Sequence, residues 1–131
     1  MSTLFEKIIA GTIPSYKVYE DQHCYAFLDI NPLAKGHTLV IPKLPVDYIF
    51  DLPQETYTEL MQCARKVAGA IEKAVPCTRI GMAVVGLEVP HAHIHLIPLH
   101  QSAINFSDPK LSLSAEELSQ IADAIRMQIE D

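Results

Sequence analysis

The spacing of three histidines constrains this chain more than any other feature. Residues 91–96 read HAHIHL, with imidazoles at His91, His93 and His95 and apolar side chains at Ala92, Ile94 and Leu96. A period of two is that of an extended strand, whose alternate side chains point to opposite faces. The pattern predicts a strand over His91–Leu99, one face made of histidine and the other given to a core.

The remaining segments supply a sheet for that strand. Thr3-Leu4-Phe5-Glu6 is a capping box opening a helix of about two turns that Gly11 closes. Lys17–Glu20 and Cys24–Leu28 read as a hairpin joined at Asp21-Gln22, and Asn31-Pro32 breaks the pattern. After a turn at Lys35-Gly36, His37–Ile41 reads as a buried central strand stopped by Pro42. Pro53 opens a long amphipathic helix carrying Tyr57, Leu60, Met61, Ala64, Val67, Ala68, Ile71 and Val75 on one face, ended by Pro76. Arg79–Val85 is the next strand, Gly86–Pro90 a turn, and a loop of small and polar residues follows Leu99. A second capping box, Ser114–Glu117, opens a helix over about 114–130 with Leu118, Ile121, Ala122, Ile125 and Ile129 on one face. The order α-β-β-β-α-β-β-α predicts an α+β fold on a mostly antiparallel sheet. At 131 residues, it forms one domain over 1–131.

Charge and cysteine usage narrow the partners. Net charge is −6 and no Lys/Arg cluster exceeds two neighbours, which argues against long nucleic acids. A single nucleotide remains compatible, because backbone amides and imidazoles can hold a few phosphate oxygens. Cys24, Cys63 and Cys77 are odd in number, widely spaced and without a C-x-x-C, so neither a disulfide framework nor a zinc knuckle is predicted. The start MSTLFEKIIAG does not resemble a signal peptide, and no apolar run approaches the ~20 residues that span a bilayer. A cytoplasmic protein without membrane contact is the default expectation.

An isolated histidine is ordinarily a satisfied core or surface residue, and that reading suits His23 and His100. Three in alternation gain little from packing, and protonation would set like charges about 7 Å apart, so a functional role is expected. One candidate is a metal site, with H-x-H supplying two ligands and a third arriving from elsewhere. The other is covalent catalysis, in which the central imidazole attacks an electrophile and its neighbours tune it. Gly86–Pro90 places flexible backbone amides just before the triplet, suited to cradling phosphate oxygens, which favours phosphorus as the electrophile.

At these residues the chain resembles the histidine-triad (HIT) family. HAHIHLI matches the signature His-x-His-x-His followed by two apolar residues. Phe27 to Lys43, FLDINPLAKGHTLVIPK, resembles the family's second block, and Phe5 to Pro14, FEKIIAGTIP, its N-terminal one. Three ordered blocks cover roughly residues 3–99, and the likeness lies nearest the Hint-like branch. The resemblance implies a HIT-like fold with one long central helix and short terminal helices, and a homodimer. It implies hydrolysis or transfer of a nucleoside monophosphate from a phosphoramidate, ester or anhydride through a nucleotidyl-histidine intermediate. The alternatives are a dinucleoside polyphosphate hydrolase and a nucleotide-binding module with little turnover.

Carried over position by position, His93 corresponds to the nucleophile. His91 and His95 would orient it and bind phosphate oxygens, and His37 would support the network. Asp29 matches the carboxylate that accepts both ribose hydroxyls. Leu4, Phe5, Ile8, Phe27 and Ile30 match an apolar slot around a purine base, with Leu39 beside it, while Glu88 and Val89 lie at the phosphate. For Asp29 a turn-capping role is equally open, and for the apolar residues plain core packing. The family usually reads G-Q-x-V before the first histidine, and here Gly86-Leu87-Glu88-Val89 lacks the Gln donor and adds a carboxylate. The upstream position often held by Asn or Gln is Ile80. The cysteines of the family's structural zinc have no counterpart, and Pro45 stands where its histidine would be. No metal and no cofactor is therefore expected.

Overall fold

In the computed structural model, which describes residues 2–129, the chain runs α1 (Leu4–Ile9), β1 (Lys17–Glu20), β2 (Cys24–Leu28) and β3 (Thr38–Pro42). A 3-10 turn (Ile49–Asp51) leads to α2 (Gln54–Ala74), then β4 (Arg79–Ala83), β5 (Ile94–Leu99) and α3 (Ala115–Met127). All strand pairs are antiparallel, in the spatial order β1-β2-β3-β5-β4. The predicted α+β class and element order hold. Glu130, included in the expected C-terminal helix, lies outside the described residues.

Alternation along β2 and β3 separates two apolar clusters, one on each face of the sheet. Cys24, Ala26, Leu28, Val40, Ile94 and Leu96 face α2 and α3, where they meet Leu60, Cys63, Ala64, Val67, Ile71, Leu118, Ala122 and Ile125. Tyr25, Phe27, Leu39 and Ile41 face the other way and pack on Phe5 and Ile8 of α1. Every residue of β2 and β3 is thus buried, as expected for strands covered on both faces. Register places Phe27 opposite Leu39, and Leu39 opposite His95, so His95 lies on the α1 face. Gly36 makes the turn into β3 at φ 92, a backbone that other residues rarely adopt.

The histidine segment departs from expectation. β5 begins at Ile94, not His91, so only His95 of the three is in the ladder. Continuing the register would set Ala92 opposite Pro42, which has no amide hydrogen to offer. The chain instead turns away: His91 N–H donates to Val89 O at 2.8 Å, and Ala92 N–H to Val46 O at 2.8 Å. β4 correspondingly ends at Ala83, opposite His95, instead of Val85. Val84 and Val85, with no strand left to pair, are 42% and 50% exposed.

The cysteine expectation is also corrected. Cys24 and Cys63 form a disulfide between β2 and α2 across 39 residues, leaving Cys77 free. Both half-cystines face the α2 side of the sheet, and distance along the sequence did not reveal that proximity. No helix among the described residues is long and apolar enough to cross a membrane.

Candidate active site

The capping box of α1 does more than start a helix. Thr3 Oγ1 accepts the Glu6 amide at 3.0 Å and lies 3.0 Å from His91 Nδ1. His91 Nε2 is 2.8 Å from the carbonyl oxygen of Pro42. A carbonyl only accepts, so Nε2 carries the proton, Nδ1 is bare, and the Thr3 hydroxyl donates to it. Burial keeps His91 in this neutral form by pushing its pKa down. His91 is thereby locked at both nitrogens and has none left for a ligand.

The same reasoning fixes the other rings. His93 Nδ1 is 2.8 Å from the carbonyl oxygen of His91 and must donate to it, leaving Nε2 with a lone pair. At His37, Nδ1 accepts the Leu33 amide at 3.0 Å, so the neutral ring carries its proton on Nε2 and donates to His95 Nδ1 at 3.0 Å. His95 then carries its own proton on Nε2. Burial holds both rings neutral: His37 is pushed down to about 4, with the Lys110 ammonium adding to the effect. His95 is also pushed down to about 4 by burial, assisted by His37 and His93 and opposed by Asp29. Among the described residues, no buried side-chain nitrogen or oxygen lacks a partner. Among the described residues neither His93 Nε2 nor His95 Nε2 has a hydrogen-bond partner, so both reach the surface. One is a bare nucleophilic nitrogen, the other a hydrogen-bond donor, on rings whose centroids are 5.1 Å apart.

Although His91 and His93 precede the ladder, all three imidazoles gather on the α1 side. Phe5 meets His91 and His93 edge to face at 5.6 and 5.0 Å, and Phe27 at 5.6 Å. Phe5, Ile8, Phe27, Leu39 and the half-buried Val89 share one apolar cluster beside the histidines. Leu4 and Ile30, assigned to the same slot from sequence, are 47% and 61% exposed, and neither belongs to that cluster. Glu88 is exposed and Leu87 is 88% exposed.

Of the two roles left open for Asp29, the turn-capping one is seen. Its Oδ1 accepts the Asn31 amide at 2.9 Å in a turn, while Oδ2 stands 3.6 Å from His37 Nε2 at the edge of the histidine chain. Burial raises its pKa, against the Asn31 bond and the nearby His95 and Lys110. Asp29, His37 and His95 offer ligand atoms within 4.8 Å of one another. They suit a metal poorly. With the Leu33 amide on Nδ1, His37 could bind a cation through Nε2 only as an anionic imidazolate. The trio forms a chain of ordered protons.

Three contributors escaped sequence reading: the Thr3 hydroxyl on His91, the Leu33 amide that sets the His37 tautomer, and Phe106, whose ring lies 4.8 Å from that of His95. Thr3 was visible only as a helix cap. A lone aromatic within a small and polar loop was the one available sign of Phe106.

Known proteins resemble this chain in sequence and in fold. The HIT domain matches residues 10–102. The chain is 32% identical to an adenosine 5'-monophosphoramidase of Schizosaccharomyces pombe, over 98% of this chain and 99% of that protein. It is likewise 32% identical to an adenylylsulfatase of Arabidopsis thaliana, over 96% and 68%. A Hit-like protein from Bartonella henselae involved in cell-cycle regulation superposes with a TM-score of 0.85 at 34% identity, covering 97% of this chain and 96% of the other.

Proposed function

The chain belongs to the HIT family, and from that premise we propose that it is a nucleotide hydrolase or transferase acting at the α-phosphorus of a nucleoside monophosphate derivative. The observation that carries this reading is the proton order of the histidines. His93 Nδ1–H is held by the His91 carbonyl, so Nε2 keeps its lone pair directed outward beside the His95 Nε2–H donor. His93 Nε2 attacks phosphorus, forming a P–N bond as the leaving group departs with the electrons of the broken bond. A neutral imidazole is the attacking form, and its Nδ1–H rests on a fixed carbonyl as positive charge grows on the ring. His95 donates to a phosphoryl oxygen. Water then attacks the same phosphorus, releasing the nucleoside monophosphate and restoring His93. The chemistry calls for no metal or cofactor.

Phe5, Ile8, Phe27, Leu39 and Val89 offer a flat apolar wall for a purine, and Asp29 Oδ2 an acceptor for the ribose hydroxyls. The phosphoramidase and adenylylsulfatase relatives support a leaving group joined through nitrogen or through a mixed anhydride. A homodimer is proposed on the outer edge of β4, which is the last strand of the sheet and continues into exposed Val84 and Val85.

Release of nucleoside monophosphate from a phosphoramidate, a phosphosulfate and a dinucleoside polyphosphate, assayed side by side, ranks the substrate classes. His93→Ala should lose turnover of the preferred one by at least about a thousandfold while still binding the monophosphate. Mass spectrometry of protein quenched without acid should find the nucleotide on the peptide bearing His93. A His93→Ala variant that turns over at the wild-type rate would overturn the mechanism.

A further inference from the structure

The loop after β5 leaves the sheet at Leu99 and then returns to the site. Phe106 lays its ring edge to face on His95, centroids 4.8 Å apart at 63°. The Leu111 amide donates to Pro32 O at 2.8 Å, in the turn whose ends carry Asp29 and His37. Between these points the loop is braced by its own bonds. Asn105 Oδ1 accepts the Ser107 amide at 2.9 Å, Asn105 O the Asp108 amide at 3.0 Å, and Lys110 Nζ donates to the carbonyls of Phe106 and Asp108. Phe106 is therefore a tethered side chain on an otherwise exposed loop.

What it touches gives the contact meaning. His95 meets three rings: His93 at 5.1 Å, His37 at 5.2 Å and Phe106 at 4.8 Å. Its Nδ1 is occupied by His37, so Nε2–H is the one polar atom it can offer outward. The bond from His37 fixes Nδ1, and the rings of His93 and Phe106 lie against the rest of the imidazole. These ring contacts supply a second, non-polar restraint that aims Nε2–H, and the Phe106 ring, the nearest of them, is the one contributed from outside the histidine cluster.

We infer that Phe106 is a positioning residue, holding the His95 imidazole so that its Nε2–H meets the phosphoryl oxygen that gains charge during transfer. This rests on the reading of His95 given above and assigns the loop a share in transition-state stabilisation. A donor aimed at developing charge acts mainly on kcat, whereas a residue that merely completes a binding wall acts on KM.

The test is a double-mutant cycle on the preferred nucleotide substrate, with Phe106→Ala, Phe106→Tyr, His95→Ala and the Phe106→Ala/His95→Ala pair. Phe106→Ala should lower kcat by roughly ten- to a hundredfold with KM changed less than about threefold. Phe106→Tyr, which keeps the ring, should restore kcat, and Phe106→Ala should cost nothing further once His95 is gone. Wild-type kcat in Phe106→Ala, a loss confined to KM, or a full multiplicative loss in the double variant would each overturn the proposal. Imidazole nitrogen NMR reads the same contact without turnover: Phe106→Ala should move the His95 signals and leave those of His91 in place. Unmoved His95 signals would reject it even if the covalent mechanism stands, while an active His93→Ala would reject that mechanism and not the ring contact. Should Phe106→Ala fail to fold, Phe106→Leu, which keeps bulk but loses the ring edge, carries the same expectations.

Discussion

Acid should weaken this fold at its active site before it reaches the surface carboxylates. His37 is 2% exposed and bonded at both nitrogens, accepting from Leu33 and donating to His95. A second proton would have to enter at Nδ1, against the Leu33 amide, and burial, with the Lys110 charge adding to it, lowers the pKa from 6.5 to about 4. The sign follows by linkage. Below pH 6.5 the unfolded chain takes up a proton that the folded ring refuses, so stability is constant above that pH and declines as pH falls toward 4. Below about 4 both states bind the proton and the loss stops growing.

For His37 alone the full loss is roughly 3 kcal/mol, and at pH 5 about 2 kcal/mol of it has been incurred. His95, also lowered to about 4, pushes in the same direction. Asp29 opposes them, because its raised carboxyl lets the folded state take up a proton ahead of the unfolded chain. Urea unfolding followed by far-ultraviolet circular dichroism between about pH 7 and pH 4.5 measures the slope, and imidazole NMR identifies the rings responsible. An unfolding free energy flat across that window, with His37 and His95 titrating at ordinary histidine values, would refute the ordered neutral pair. The tautomers deduced for the site would fall with it.

Two further outcomes follow from contacts on the two faces of the sheet. Thr3→Ala removes both the cap on α1 and the donor to buried His91, and should cost about 2 kcal/mol in thermal or urea unfolding. Thr3→Ser, which keeps the hydroxyl, should cost well under half of that, and equal losses in the two variants would remove Thr3 from the network. The bond between Cys24 and Cys63 closes a loop of 39 residues, so its reduction should lower stability by about 4 kcal/mol. Thiol titration of protein denatured without reductant should find one free group per chain, Cys77, and three would refute the pairing.

What the sequence revealed and what it hid have separate physical causes. Capping boxes at Thr3 and Ser114, the 3.6-residue period of α2 and the β-branched run of β3 are local signals, and each element stands where its signal lies. The histidine alternation was read correctly in consequence and wrongly in cause. Three imidazoles do lie on one side, yet His91 and His93 reach it from an irregular segment and not from strand alternation, because Pro42 opposite cannot continue the ladder. That irregularity is what the site depends on. In a continued antiparallel ladder the His91 carbonyl would serve a strand partner or point away, whereas here it accepts from His93 Nδ1 two residues on. The Pro42 carbonyl, spared by the same break, accepts from His91 Nε2. Two backbone carbonyls beside this break thus fix two tautomers and leave the His93 lone pair outward. Neither the proline nor the histidines alone announce this, because the information lies in which residue faces which across the sheet. The same holds for Cys24 with Cys63 and for Phe106 with His95, pairs that only the folded chain brings together.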